Sequence, residues 1–210
     1  MTWHRLWATR IAAALAVPLA LLLVVLAIDV VRVPREIAAD DVRFQAAPRV
    51  PRSLWDDVGF LPGESAARLL GAGDDLTYRR TLSLFARVQP GKVQVTTPEL
   101  EALRGRATLE VTLRSREDGE SWRRAELLNL YGILSLARWS TDSAEAHQIL
   151  ARGIGAFQNA TELDSANVDA KRNLELVLRR PDAATLPPND PSQGGAQGRT
   201  SGQGRVGSGY

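Results

Sequence analysis

Apolar residues follow two regimes along the chain. From Ile11 to Val31 the run IAAALAVPLALLLVVLAIDVV carries a single charge, Asp29. As a helix it would be about 30 Å long, enough to cross the hydrocarbon core of a bilayer. Pro18 within it is tolerable there, because the backbone groups it frees can be satisfied locally. Beyond residue 60 the apolar positions recur every three to four residues between breakers, the signature of amphipathic helices sharing one core.

A short helix is predicted from about Pro62 to Leu70, stopped by a left-handed Gly71, with Asp74 as cap of the next. Tyr78, Leu82, Phe85 and Val88 then share a face until Gln89-Pro90-Gly91. Thr97 as cap, Pro98 at the first helical position and Glu99 against the dipole open another helix reaching about Arg116, closed by Glu117-Asp118-Gly119. The stretch SWRRAELLNLYGILSLARW is apolar at Leu127, Leu128, Tyr131 and Leu134, a face broad enough to imply neighbours on two sides. Gly132 in its middle costs about 1 kcal/mol against Ala, which marks a close helix approach. TDSAEAHQILARGIGAFQNATEL follows, with Leu150, Ile154, Phe157 and Ala160 or Thr161 on one face. The last helix lies in LDSANVDAKRNLELVLRRP. Asn167 caps it, Asp169 sits in its first turn, Ala170, Leu174, Val177 and Leu178 face inward, Arg179 and Arg180 complement the dipole, and Pro181 ends it.

The expected fold is therefore all-α. A flank at 1–10 precedes a transmembrane helix at 11–31. Residues 32–60, with Pro34, Pro48 and Pro51 and mixed charge, read as an extended stalk. A helical domain at 61–181 precedes a Gly, Pro, Ser and Gln-rich tail at 182–210, too poor in apolar side chains to offset ordering entropy and so expected to be disordered.

Charge adds little: 26 basic and 24 acidic residues are interspersed, which gives no basic block and no sign of nucleic-acid binding. The absence of Cys excludes disulfides, thiolate metal sites and Cys nucleophiles. With His4 and His147 as the only histidines, a His-rich metal site or a two-histidine catalytic arrangement is disfavoured. At the front, a cleaved signal peptide competes with a retained anchor. The anchor is favoured because the run exceeds a 7–15 residue signal core and EIAAD is a poor cleavage site at Ile37. Arg5 and Arg10 before the run, and Arg32, Arg35 and Arg43 after it, do not separate the two sides; Trp3 and Trp7 fit an interfacial aromatic belt.

Each candidate for chemistry has a plainer reading. Asp164, Asn167 and Asp169 lack the Gly and distal Glu of a calcium loop and read as turn and cap residues. Asp56-Asp57 and Asp74-Asp75 suit helix starts and stalk solubility better than acid–base work. Gly71-Ala72-Gly73 lacks the Lys-Ser/Thr of a phosphate loop, His147 reads as a surface residue, and the Asn159-Ala160-Thr161 sequon falls in a helix. No catalytic residue, cofactor or metal is expected.

Tyr131-Gly132, then Gly153, Phe157, Ala160 and LDSAN, then Ala170, Asn173 and Leu174, resemble the helices of a degenerate tetratricopeptide (TPR) repeat, about one and a half units. Glu175 stands where the repeat has a small residue, and Ser165 where it commonly has Pro. With the apolar helix, LLGAGDDLTYRRTLSLF, NLYGIL and ATELDSANVDAKRNLELVLRR, the chain resembles small membrane-anchored companion proteins of actinobacteria. Their relatives occur in gene clusters that pair a MoxR-type AAA ATPase with von Willebrand factor A domain proteins. That resemblance implies a non-enzymatic scaffold at the cell membrane, its domain outside the cytoplasm, binding a von Willebrand factor A domain protein or the ATPase system. The repeat likeness also implies a groove lined by Asn129, Leu136, Asp169, Arg172, Asn173 and Arg179, where Asn amides would bond a peptide backbone and Arg172 and Arg179 a carboxylate. The competing expectations are a tethered hydrolase or transferase using Asp and Glu alone, and a secreted domain released from a signal peptide.

Overall fold

The computed structural model describes residues 2–49, 53–56, 58–60, 65–91, 97–138 and 142–180, with side chains from residue 14 onward. The described residues form seven helices and no strand: α1 Thr2–Ala46, α2 Ser65–Leu69, α3 Gly73–Val88, α4 Pro98–Glu117, α5 Ser121–Leu136, α6 Ser143–Leu163 and α7 Val168–Leu178. The predicted tail with Pro181 and Tyr210, the expected helix start at Pro62, and Asp57 all lie outside the described residues.

From Ala14 onward α1 is long and apolar enough to cross a membrane, and the rest of the chain covers little of that stretch. The helix does not end where its apolar run does. It continues through Pro34 to Ala46, so the expectation of an extended stalk over 32–60 is corrected for its first half. One face explains the continuation: Asp29, Val33, Glu36, Ile37, Asp40 and Phe44 recur at helical spacing and meet other parts of the chain. Acids occupy much of that face, which hides its period from a hydrophobicity count.

α2 ends as its sequence predicts. Gly71 is left-handed at φ +70°, and the N–H groups of Gly71 and Ala72 bond to the carbonyls of Arg68 (3.0 Å) and Ala67 (2.8 Å). This double closure is a Schellman turn. It leads directly into α3, whose N-cap position is Ala72 and whose first residue is Gly73, so Asp74 is not the cap but a first-turn carboxylate. Elsewhere the caps fall where expected: Thr97 accepts the Leu100 N–H (3.2 Å) and Asn167 the Ala170 N–H (2.8 Å). Asp142 accepts the N–H groups of Ala144 and Glu145. Such caps contribute about 1 kcal/mol each.

Helices α3 to α7 pack in sequence, each on the next, and α5 also touches α7. Tyr78, Phe85, Val88, Ala107, Val111, Leu127, Leu130 and Leu134 make the core between α3, α4 and α5. Leu150, Ile154, Phe157 and Val177 make the core of α6 and α7, with Ile133 and Leu136 of α5 against it. The broad apolar face of α5 thus meets neighbours on both sides, as its pattern requires. Where α5, α6 and α7 converge, Ala125, Ala160 and Ala170 are fully buried, their small side chains allowing close approach. Leu178 is the exception to the predicted inward face of α7: it is 52% exposed. A 100° step past Val177 carries it off the buried stripe.

Candidate functional site

Two places in the fold gather polar side chains beyond what helix packing needs. The first is the seam between α5 and α7. Asn129 is 2% exposed, and its Oδ1 accepts the Asn173 amide at 2.8 Å. One turn earlier on α5, Glu126 accepts from the side chain of the cap residue Asn167 at 3.4 Å. Burial pushes the Glu126 carboxyl above its ordinary range, the Asn167 amide pulls it back, and the charge of Asp169 raises it further. Asp169 and Asn173 therefore lie on the flank of α7 that faces α5.

Of the six residues expected to line a groove, the structure joins only Asn129 and Asn173, and by bonding them to each other. The expectation of Asn129 as an open groove residue is corrected: its amide is buried and engaged. Leu136 is corrected likewise. Half-buried, it packs with the α6–α7 core, close enough to α6 that a Cβ on Gly153 would lie 3.0 Å from its Cδ2. Asp169, Arg172 and Arg179 are exposed, and Arg179 pairs with Glu175 on its own helix. An open surface on α7 therefore rests on Asp169, Arg172, Asn173 and Arg179.

Of the carboxylates considered for acid–base chemistry, those among the described residues are engaged in ion pairs or exposed singly. Asp75 pairs with Arg79, Asp56 with Arg80, and Asp74 is exposed. Asp164 accepts the Ala166 N–H in a turn at 2.9 Å. No group of three metal-ligating side chains occurs among the described residues. Tyr78, buried against Trp122 edge-on at 5.6 Å, has its hydroxyl pushed far above the ordinary range by burial and then by the Glu126 charge.

The second gathering is the joint between α1 and the helical domain, which the sequence did not disclose. The acids on the inward face of α1 accept hydrogen bonds from the segment 53–60. Asp29 Oδ1 takes the Phe60 N–H (2.8 Å), Glu36 Oε2 the Gly59 N–H (3.1 Å), and Asp40 Oδ2 the Trp55 N–H (2.8 Å). Asp41 Oδ1 takes the Trp55 indole N–H (3.0 Å) and pairs with Arg79 of α3. Trp55 is 1% exposed, stacked edge-on against Phe44 at 5.3 Å, and left-handed at φ +59°. That conformation costs a non-glycine residue about 1–2 kcal/mol. It persists because four bonds hold the residue, the last two from Arg80 Nε (3.1 Å) and Nη2 to its carbonyl. Gly59, at φ +96°, passes so close to α1 that a Cβ would sit 3.1 Å from Asp29 Oδ2. A cue was present in the sequence: Asp29, Glu36 and Asp40 fall on one helical face seven and four residues apart, opposite a Trp-Asp-Asp-Val-Gly-Phe segment rich in turn residues.

Compared with known protein families, curated proteins and solved structures, the chain matches none.

Proposed function

We propose that the protein is a single-pass membrane-anchored helical scaffold that holds a protein partner against the membrane and carries no chemistry of its own. The observation that supports this most is the joint: four acids of α1 accept hydrogen bonds from residues 53–60, so the apolar helix and the helical domain are tied together. A tether that only prevents diffusion needs no such fixation, whereas a scaffold that presents a partner at a set height and angle does.

The domain acts as a TPR-like stack. The contact of α5 with α7, two helices on, is the arrangement expected when the first helices of successive hairpins line up side by side. In this reading α5–α6 is one hairpin unit and α7 opens the next. Arg172 and Arg179 on α7 would engage an acidic segment of the partner, with Asp169 and Asn173 at the edge of that surface. The resemblance of the sequence to companions of MoxR-type ATPases suggests the partner class, a von Willebrand factor A domain protein of the same membrane or the ATPase system, and with it a domain outside the cytoplasm.

Co-purification tests the scaffold. Full-length protein extracted from membranes should bring such a partner with it, and Arg172→Glu with Arg179→Glu should abolish recovery while leaving helicity unchanged. Partner recovery that survives both changes would move the surface off α7. Robust turnover by the purified protein, lost on a single Asp→Asn change, would replace the scaffold by an enzyme. Alkaline phosphatase fused after Arg180 should be active in cells; an inactive fusion reverses the orientation.

A further inference from the structure

The inward face of α1 is occupied by the joint, and its back is not. Val24, Ala27, Ile28, Val31, Arg32 and Arg35 line one shallow concavity along that back. Val24, Ile28 and Val31 are 56%, 49% and 55% exposed. The chemistry along this strip has a direction: four apolar side chains over the first two turns, then two guanidinium groups within the next turn. From Val24 to Arg35 the strip covers about 16 Å of helix axis. The acids of α1 at 29, 36, 40 and 41 point toward the domain, and Glu36 also pairs with Arg32 of the strip. Arg35 meets no acid among the described residues.

Phe60 adds a second observation. It is 61% exposed, yet its backbone is fixed by the bond to Asp29, and its ring lies under the Arg32 guanidinium, 4.2 Å from centroid to Cζ. A large aromatic held in the open costs apolar exposure in water. At the boundary between headgroups and acyl chains the ring can be buried in apolar surroundings, as Phe, Leu and Trp of membrane-surface elements are.

We propose that the back of α1 is a subsite for an anionic phospholipid. One acyl chain lies along Val24, Ala27, Ile28 and Val31, the phosphate sits between Arg32 and Arg35, and Phe60 rests at the boundary between headgroups and acyl chains beside it. The inference rests on α1 being the membrane anchor. Charge selects the lipid. The guanidinium pair attracts the phosphate of any phospholipid, but the quaternary ammonium of phosphatidylcholine brings a second cation to the site, whereas the uncharged glycerol of phosphatidylglycerol does not. Guanidinium groups suit the role because they bind phosphate through two parallel N–H bonds. The expected preference is about fivefold for Arg35, the attraction of one basic residue to an anionic membrane surface, and less for Arg32, whose charge is shared with Glu36.

The test uses the full chain in detergent micelles with equal phosphatidylglycerol and phosphatidylcholine, and reads retained lipid by native mass spectrometry. The wild type should retain phosphatidylglycerol in preference. Arg35→Gln, which disturbs no ion pair among the described residues, should lose about fivefold of that preference, and Arg32→Gln with Arg35→Gln nearly all of it. Flotation with pure phosphatidylcholine vesicles separates the two ideas. If the chain floats but shows no preference, or if the preference survives both substitutions, the subsite is overturned and the anchor stands. If the chain does not float at all, anchor and subsite fall together. A second copy of the chain on the same face would appear as disulfide cross-linking of Ile28→Cys, clean in a chain without cysteines, in both lipids alike, and would also overturn the subsite.

Discussion

Gly132 of α5 lies directly against the Phe157 ring of α6: a Cβ added to the glycine would stand 2.5 Å from Cε1 and 2.8 Å from Cζ. Phe157 is 1% exposed and packed in the core with Leu150, Ile154 and Val177. The α5–α6 contact is thus set by a missing side chain on one helix and a large one on the other.

Gly132→Ala gains about 1 kcal/mol of helix propensity, but overpacking a filled interior costs about 1–3 kcal/mol. The clash should win, and the melting temperature of the full chain in detergent should fall. Gly132→Ala with Phe157→Leu should recover part of the loss relative to the sum of the single changes. Strict additivity would show that the two residues are not coupled.

The Asn129–Asn173 pair is asymmetric, since Asn129 is buried and Asn173 reaches solvent in part. Asn173→Ala strands a buried amide oxygen, and should cost about 1–3 kcal/mol. After Asn129→Ala the Asn173 amide can turn to water, so the double variant should cost less than the two single changes together. Chemical denaturation of the three variants measures this. Equal and additive small effects would mean that the seam holds without the pair.

Glu126 gives stability a pH dependence of known sign. Its folded-state pKa is raised from the ordinary 4.5, chiefly by burial. The proton is therefore held more tightly in the fold. The contribution is full below the unfolded pKa and is lost as pH rises through the folded value. Glu126→Gln removes this titration and keeps an acceptor for Asn167. Melting curves from pH 4 to 8 should be flatter for the variant, with equal or higher stability at pH 8. An unchanged profile would assign the pH dependence to other groups.

Cutting the joint should loosen it without unfolding the domain. Asp40→Ala with Asp41→Ala removes the acceptors of the Trp55 N–H and indole and one of the two acids paired with Arg79. Hydrogen bonds to charged groups contribute about 1.5–3 kcal/mol each, so amide exchange across 53–60 should rise tenfold or more while α5 to α7 keep their protection. Gly59→Ala should act in the same direction through its left-handed backbone and its contact with Asp29. Uniform loss of protection throughout would mean that the joint is part of a single folding unit with the stack.

Local chemistry alone determined much of this chain. The apolar run of α1, the Thr97 and Asn167 caps, the Gly71 stop and the inward faces of α3 and α5 to α7 each depend on residues within a turn or two of one another, so their physics is visible in a window of sequence. Gly132 is the limiting case: its unfavourable propensity announced a close neighbour, and only packing identified that neighbour as Phe157. Tertiary structure decided what depends on distant partners. The helix over 32–46 forms around Pro34 because Asp29, Glu36, Asp40 and Asp41 receive N–H groups from a segment up to 31 residues away. Asn129 is removed from the surface because the hydrogen-bonding capacity that suits it to a peptide is satisfied by Asn173, 44 positions on. A polar side chain carries no mark in sequence of whether its partner will be water, a ligand or its own chain, and that assignment belongs to the packing of α5 against α7.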